Sequence, residues 1–147
     1  MRGLISRLER GYAMVWTAAM LPFLLIVVGL TVDGGVMFDG QRNLQNIADA
    51  AARAGAMQID QNVYRQTNGA TVALDQNAAR DVAAQSVAGE GSDLKGTITA
   101  DGQRVTVKVE RDVPTSFMQI AGIKTVHLTA IAPAEVRFGI ERGNKQP

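Results

Sequence analysis

The sequence predicts an α+β protein: a long N-terminal membrane helix extending into an extracytoplasmic domain with a second helix and a roughly four-stranded antiparallel sheet. Three observations point there. Residues 12–32 hold no charged side chain. The next stretch, to about residue 59, repeats small and apolar residues at three- and four-residue steps. Beyond residue 96 the repeat shortens to two, with Asp101-Gly102 set between apolar runs. The organisation is a basic cytoplasmic tail (1–11), a transmembrane helix (12–32), an extracytoplasmic domain (33–140) and a polar, frayed tail (141–147).

The uncharged run is roughly 21 residues long, and at about 1.5 Å per residue it spans on the order of 30 Å, the thickness of a bilayer core. Arg2, Arg7 and Arg10 precede it and Asp33 closes it. The positive-inside rule therefore puts the N-terminus in the cytoplasm. Tyr12 and Trp16 lie at the same interface, where amphipathic rings are favoured. Pro22 removes one helical hydrogen bond and predicts a kink. A cleaved secretory signal needs a shorter apolar core and a small-x-small cut site, which Thr31-Val-Asp-Gly-Gly-Val36 fits poorly. Asp33 and Asp39 read as polar stop-transfer residues rather than an ion site.

From Asp33 the chain reads as helix to about residue 59. Leu44, Ile47, Ala48, Ala51, Ala54 and Gly55 fall on one stripe, opposite Gln41, Arg42, Asn43 and Arg53. Small residues four apart, such as Ala48/Ala52 and Ala51/Gly55, let another helix approach closely. Two readings follow: a docking face for a related subunit, or a helix seated on its own domain's sheet. Residues 62–69 read as a loop ending in the turn Asn68-Gly69. Residues 71–87 read as a second helix with Leu74, Ala78, Val82 and Gln85 on one face, broken at Gly89-Glu90-Gly91-Ser92.

Residues 97–100 and 103–110 form a hairpin, since Asp-Gly suits a two-residue type I′ turn. Val105, Val107 and Val109 face one way; Arg104, Thr106, Lys108 and Glu110 face the other, so one side of the sheet is covered and the other wet. Val113-Pro114 ends that strand. Residues 115–122 suggest a short helix with a serine or threonine cap and a glycine stop. Residues 125–132 and 134–140 read as two strands joined at Pro133.

Composition excludes several functions. Across 147 residues the formal net charge is +1, with no basic stripe to neutralise phosphates, so nucleic acid is not an expected partner. The chain has no cysteine and a single histidine, His127. That leaves no disulfide framework, redox pair or familiar zinc site. Alternation places His127 with Thr125 and Thr129 on the wet face of its strand. No nucleophile elbow, phosphate loop or dinucleotide fingerprint occurs. Asp101-Gly102 is turn chemistry rather than a calcium loop. Neither an enzyme nor a cofactor is expected.

Arg10-Gly11, the apolar span with Leu21-Pro22, Val32-Asp33-x-Gly35 and Arg42-Asn-Leu-Gln-Asn-Ile-Ala-Asp-Ala-Ala-Ala-Arg-Ala-Gly-Ala56 together resemble the TadE/TadG-like proteins of bacterial Tad (tight adherence, or Flp) pilus systems. Leu44-Gln45 followed by Ala48-Asp49-Ala50-Ala51-Ala52 is the most specific part. The later order of valine-rich hairpin, Val-Pro, Phe-Met-containing helix and closing strands also resembles that group. The resemblance implies a pilin-like domain and a single-pass inner-membrane component of pilus assembly, such as a minor pilin or pseudopilin. Its partners would be other pilin-like or Tad assembly proteins, the bilayer and prepilin peptidase. A peptidase cut would fall between Gly11 and Tyr12. Processed members carry glutamate at the fifth residue after the cut, where this chain has Trp16. Longer TadG members add a von Willebrand A-type domain with a metal site; this chain lacks the Asp-x-Ser-x-Ser run, and metal-dependent adhesion is not implied. A binding module presenting its sheet to an extracytoplasmic ligand is the alternative.

Overall fold

A computed structural model describes residues 2–136, with side chains from Tyr12 onward. The elements are α1 (Arg2–Ala56), α2 (Gln61–Gln66), α3 (Gln76–Glu90), β1 (Lys95–Ala100), β2 (Arg104–Pro114), a short 3₁₀ helix (Met118–Ala121) and β3 (Thr125–Glu135). They divide into two compact units, Met1–Phe38 with Pro114–Val126 and Asp39–Val113 with His127–Pro147.

In the second unit α1 stops at Ala56 because the backbone then turns to pair elsewhere. Ile59 bridges Leu74, with the Asp60 N–H on the Ala73 carbonyl and the Asp75 N–H on the Gln58 carbonyl, both 2.9 Å. This bridge seats an aspartate before each of the next two helices. Asp60 Oδ1 accepts the N–H groups of Asn62 and Val63 at 2.8 and 3.2 Å, so part of the expected 62–69 loop is helix α2. The turn at Asn68-Gly69 is present, with φ of 49° and 79°. Asp75 Oδ1 accepts from Asn77 and Ala78 at 3.1 Å each, an N-cap that starts α3 at Gln76 rather than Thr71. Leu74 therefore lies outside the helix, buried at the bridge. The inward face of α3 is Ala79, Ala83 and Val87, flanked by half-buried Ala78 and Val82, while Gln85 is exposed.

The sheet has three strands in the order β1-β2-β3. β1 pairs antiparallel with β2 in the register Ala100↔Val105 to Lys95↔Glu110. The Val136 N–H to Gln103 carbonyl and Thr115 N–H to Lys124 carbonyl bonds, 2.9 and 3.0 Å, fix an antiparallel β2–β3 pairing. The expected fourth strand is not separate: β3 runs through Pro133 to Glu135. The register explains this. Even-numbered residues of β3 bond to β2, and odd-numbered ones, Pro133 included, turn their backbone groups to the outer edge, where a missing N–H breaks no ladder bond. Residues 137–140 of that expected strand and the tail 141–147 lie outside the described residues.

The hairpin is also closed differently from a type I′ turn. Gly102 is not among the glycines with positive φ. Asp101 Oδ1 accepts from the N–H groups of Gln103 and Arg104 at 3.0 and 2.8 Å, and the Asp101 N–H donates to the Arg104 carbonyl at 2.9 Å. A side-chain turn replaces the backbone one.

Val105, Val107 and Val109 are fully buried, flanked by Ala100, Ala130 and Ala132 of the neighbouring strands. Burying a valine contributes about 1.5 kcal/mol or more, so this row is a main source of stability. Leu44, Ile47, Ala48, Ala51 and Ala52 of α1, with the inward face of α3, complete the same core. The alanines permit close approach. A Cβ on Gly55 would stand 2.9 Å from the Ala79 carbonyl oxygen and 3.2 Å from Val105 Cγ1. Along the outer edge of β3, Gln41 and Gln45 of α1 donate to the carbonyls of Thr129 and Ile131 at 3.0 and 3.4 Å.

Candidate functional site

In the first unit, the side chains of residues 12–32 are exposed, with Leu21, Phe23, Leu24 and Leu25 all near 60%. This stretch belongs to a helix long and apolar enough to cross a membrane. Its hydroxyls need no outside partner, since Thr17 and Thr31 donate to the carbonyls of Ala13 and Val27 at 2.9 Å.

Gly29 and Asp33 interrupt this exposed surface, one turn apart on the same helix face. Asp33 is 2% exposed. Its Oδ1 accepts the Ser116 N–H at 2.9 Å, and its Oδ2 accepts those of Phe117 and Met118 at 2.9 and 2.7 Å. A buried carboxylate is costly unless paired or multiply hydrogen-bonded, and three backbone donors supply that here. The 3₁₀ helix Met118–Ala121 has no capping bond from the residue before it; Asp33 takes the cap role expected of a serine or threonine. Gly122 supplies the expected stop at φ 89°. Directly below, a Cβ on Gly29 would lie 2.7–2.8 Å from Phe117 side-chain atoms, so only glycine leaves room for that ring. Stop-transfer polarity does not describe this buried carboxylate. The sequence signal was an aspartate directly after an apolar run, but its partners stand 83–85 residues away. Asp39 is exposed.

The predicted docking stripe has an intramolecular use. Leu44, Ile47, Ala48, Ala51 and Gly55 are buried within the second unit and Ala54 is half-buried, so the reading of a helix seated on its own domain describes these residues. Gly11 and Tyr12 lie within α1; Tyr12 is exposed, and the side chains of the tail before it lie outside the described residues.

The wet face of the sheet carries ion pairs. Lys108 bonds Glu110 at 2.6 Å, and Arg104 bonds Glu135. His127, exposed as expected, places Nδ1 2.8 Å from Asp112 and Nε2 3.6 Å from Glu110. The Asp112 hydrogen bond, aided by Glu110, raises the His127 pKa above its ordinary 6.5 against some loss of hydration. Among the described residues no three histidines, cysteines or carboxylates gather as a metal site.

The apolar span, Asp33 and the small-residue stripe coincide with one family model. Residues 11–58 match Tad, described as "Putative Flp pilus-assembly TadE/G-like". The chain carries a TadE/G-like segment. Neither a curated protein nor a solved structure matches the chain. The TadE/G-like segment spans α1 from Gly11 to its end and the first residues beyond, and so includes Gly29 and Asp33 but not the 3₁₀ helix that they hold. Association with a Tad pilus is what this segment suggests.

Proposed function

We propose that the chain is a non-enzymatic, single-pass component of a Tad/Flp-type pilus system, a minor pilin or pseudopilin held in the inner membrane. Its N-terminus is cytoplasmic and its α+β domain extracytoplasmic. The observation that carries this reading is the coincidence of the TadE/G-like match with the exposed apolar half of α1. The core of the second unit already uses Leu44, Ile47, Ala48, Ala51 and Gly55. Contact with related subunits therefore falls to the apolar face of residues 12–32, in lipid or in a helical fibre core. An exposed small-residue face is not required for that: in lipid, helices associate by packing and by polar contacts. Trp16 stands where processed pilins carry glutamate, and this favours a tip, initiating or permanently anchored subunit over a repeating one.

The test uses the full chain in membranes. Carbonate washing should leave it in the pellet, and a photo-crosslinker at Phe23 should capture pilin-like chains of the same system, whereas one at Thr106 should not. Release by carbonate would end the membrane reading, and equal capture from both positions would end the helix-contact reading. Intact-mass analysis of the recovered protein reports on prepilin peptidase. Loss of the first eleven residues marks processing at Gly11, and full-length protein marks a permanent anchor.

A further inference from the structure

We propose that the loop after β2, residues 115–124, is a second membrane element that dips into the bilayer beside the span; this rests on the membrane reading of residues 12–32. Depth is the first observation. Phe117 sits on Gly29, four residues before Asp33 and inside the uncharged run. Phe117, Met118 and Ile120 line one wall of a groove of about 580 Å³ whose other wall is Leu25, Ile26 and Leu30. A loop lying against lipid-facing side chains is itself at lipid depth.

The second observation is independent: seven of the loop's backbone amides are satisfied from within the first unit. Non-helical backbone persists at membrane depth only where its polar groups find protein partners. The amides of Ser116, Phe117 and Met118 go to Asp33. Those of Thr115, Ile120, Gly122 and Ile123 go to carbonyls of the same loop at 3.0–3.1 Å, and the Thr115 hydroxyl takes the Ile123 carbonyl. Its large exposed side chains are apolar, with Ile120 85% exposed and Phe117 and Ile123 each 45% exposed, while exposed Gln119 turns its amide onto the Ser116 carbonyl at 2.7 Å. Lys124 closes the loop with a long stem and a cationic head suited to the headgroup layer. The occupant of this apolar surface is acyl chain, continuous with the lipid that surrounds the span.

The chain has no cysteine, so single-cysteine labelling is clean. Ile120→Cys, Leu24→Cys and Thr106→Cys, each in the full chain and labelled with an environment-sensitive fluorophore, are reconstituted in phosphatidylcholine/phosphatidylglycerol vesicles. Lipid-borne nitroxide should remove most of the emission at Ile120 and Leu24 but not at Thr106, while aqueous iodide should quench only Thr106. An Ile120 label quenched by iodide and indifferent to the nitroxide lipid overturns the proposal. So does one shielded from both quenchers, because protein rather than lipid would then cover the loop. Ile123→Cys repeats the measurement at a second position. Should the Leu24 label also ignore the nitroxide lipid, the span reading fails and takes the loop with it; quenching at Leu24 alone sinks only the loop.

Discussion

The sharpest test of the packing is one substitution made at two glycines. In a helix interior, Gly→Ala gains about 1 kcal/mol from backbone entropy and shielding. At Gly89 of α3 nothing lies within 4 Å of the new methyl, so Gly89→Ala should realise much of that gain. At Gly55 the methyl meets the Ala79 carbonyl oxygen at 2.9 Å, with Val105 Cγ1 at 3.2 Å and Ala83 Cβ at 3.3 Å. A carbonyl held in the α3 backbone cannot swing aside as a side-chain end would. Forcing an extra carbon into such a site costs about 1–3 kcal/mol. The overpacking outweighs the propensity gain, and Gly55→Ala should be net destabilising by about 1 kcal/mol. For a domain of this size that lowers Tm by roughly 4–8 °C. Circular dichroism melts of the full chain in detergent, with Gly89→Ala alongside, supply the measurement. Stabilisation by both substitutions would refute the close approach of α1 and α3.

Val107→Ala removes two buried methyl groups and leaves a cavity, so it should cost about 2 kcal/mol by denaturant unfolding, while Thr106→Ala on the wet face leaves the midpoint nearly unchanged. The only imidazole should titrate by NMR above 6.5, and Asp112→Asn should lower it more than any other single change. Because folding raises that pKa, the stability contributed by protonated His127 is full below the ordinary histidine pKa and is lost as pH rises through the folded value; a titration at or below 6.5 would contradict the pairing. Asp33→Asn loses the charge on three hydrogen bonds, so the amides of Ser116, Phe117 and Met118 should exchange faster while those of β2 at Val107 do not. Unchanged exchange at all three would remove the clasp.

Much of this was open to reading because it is local. An uncharged run, a two-residue alternation and a glycine stop are visible in a window of a few residues, and each led to an observed element; the exposed face of His127 followed from the same alternation. The small-residue stripe was legible as a stripe but not as to its cover, since periodicity says which side chains share a face and nothing of what meets it. The start of α3 at Gln76 is not legible locally, because the bridge between Ile59 and Leu74 that keeps residues 71–74 out of the helix is a contact between segments. A fourth strand was expected because proline usually ends one, yet its effect depends on which way the odd residues of β3 turn, a property of register. Least legible was the pairing of Asp33 with a loop 83 residues on. No short-range pattern encodes it.

The outer edge of β3 bears on how copies of this chain can join. Two of its carbonyls already receive glutamine amides from α1, and Pro133 has no hydrogen to donate, so an incoming β-segment would meet an interrupted ladder along the middle of that border. Donor-strand exchange and edge-to-edge sheet growth, two common routes by which β-rich surface proteins polymerise or aggregate, are hindered on that side.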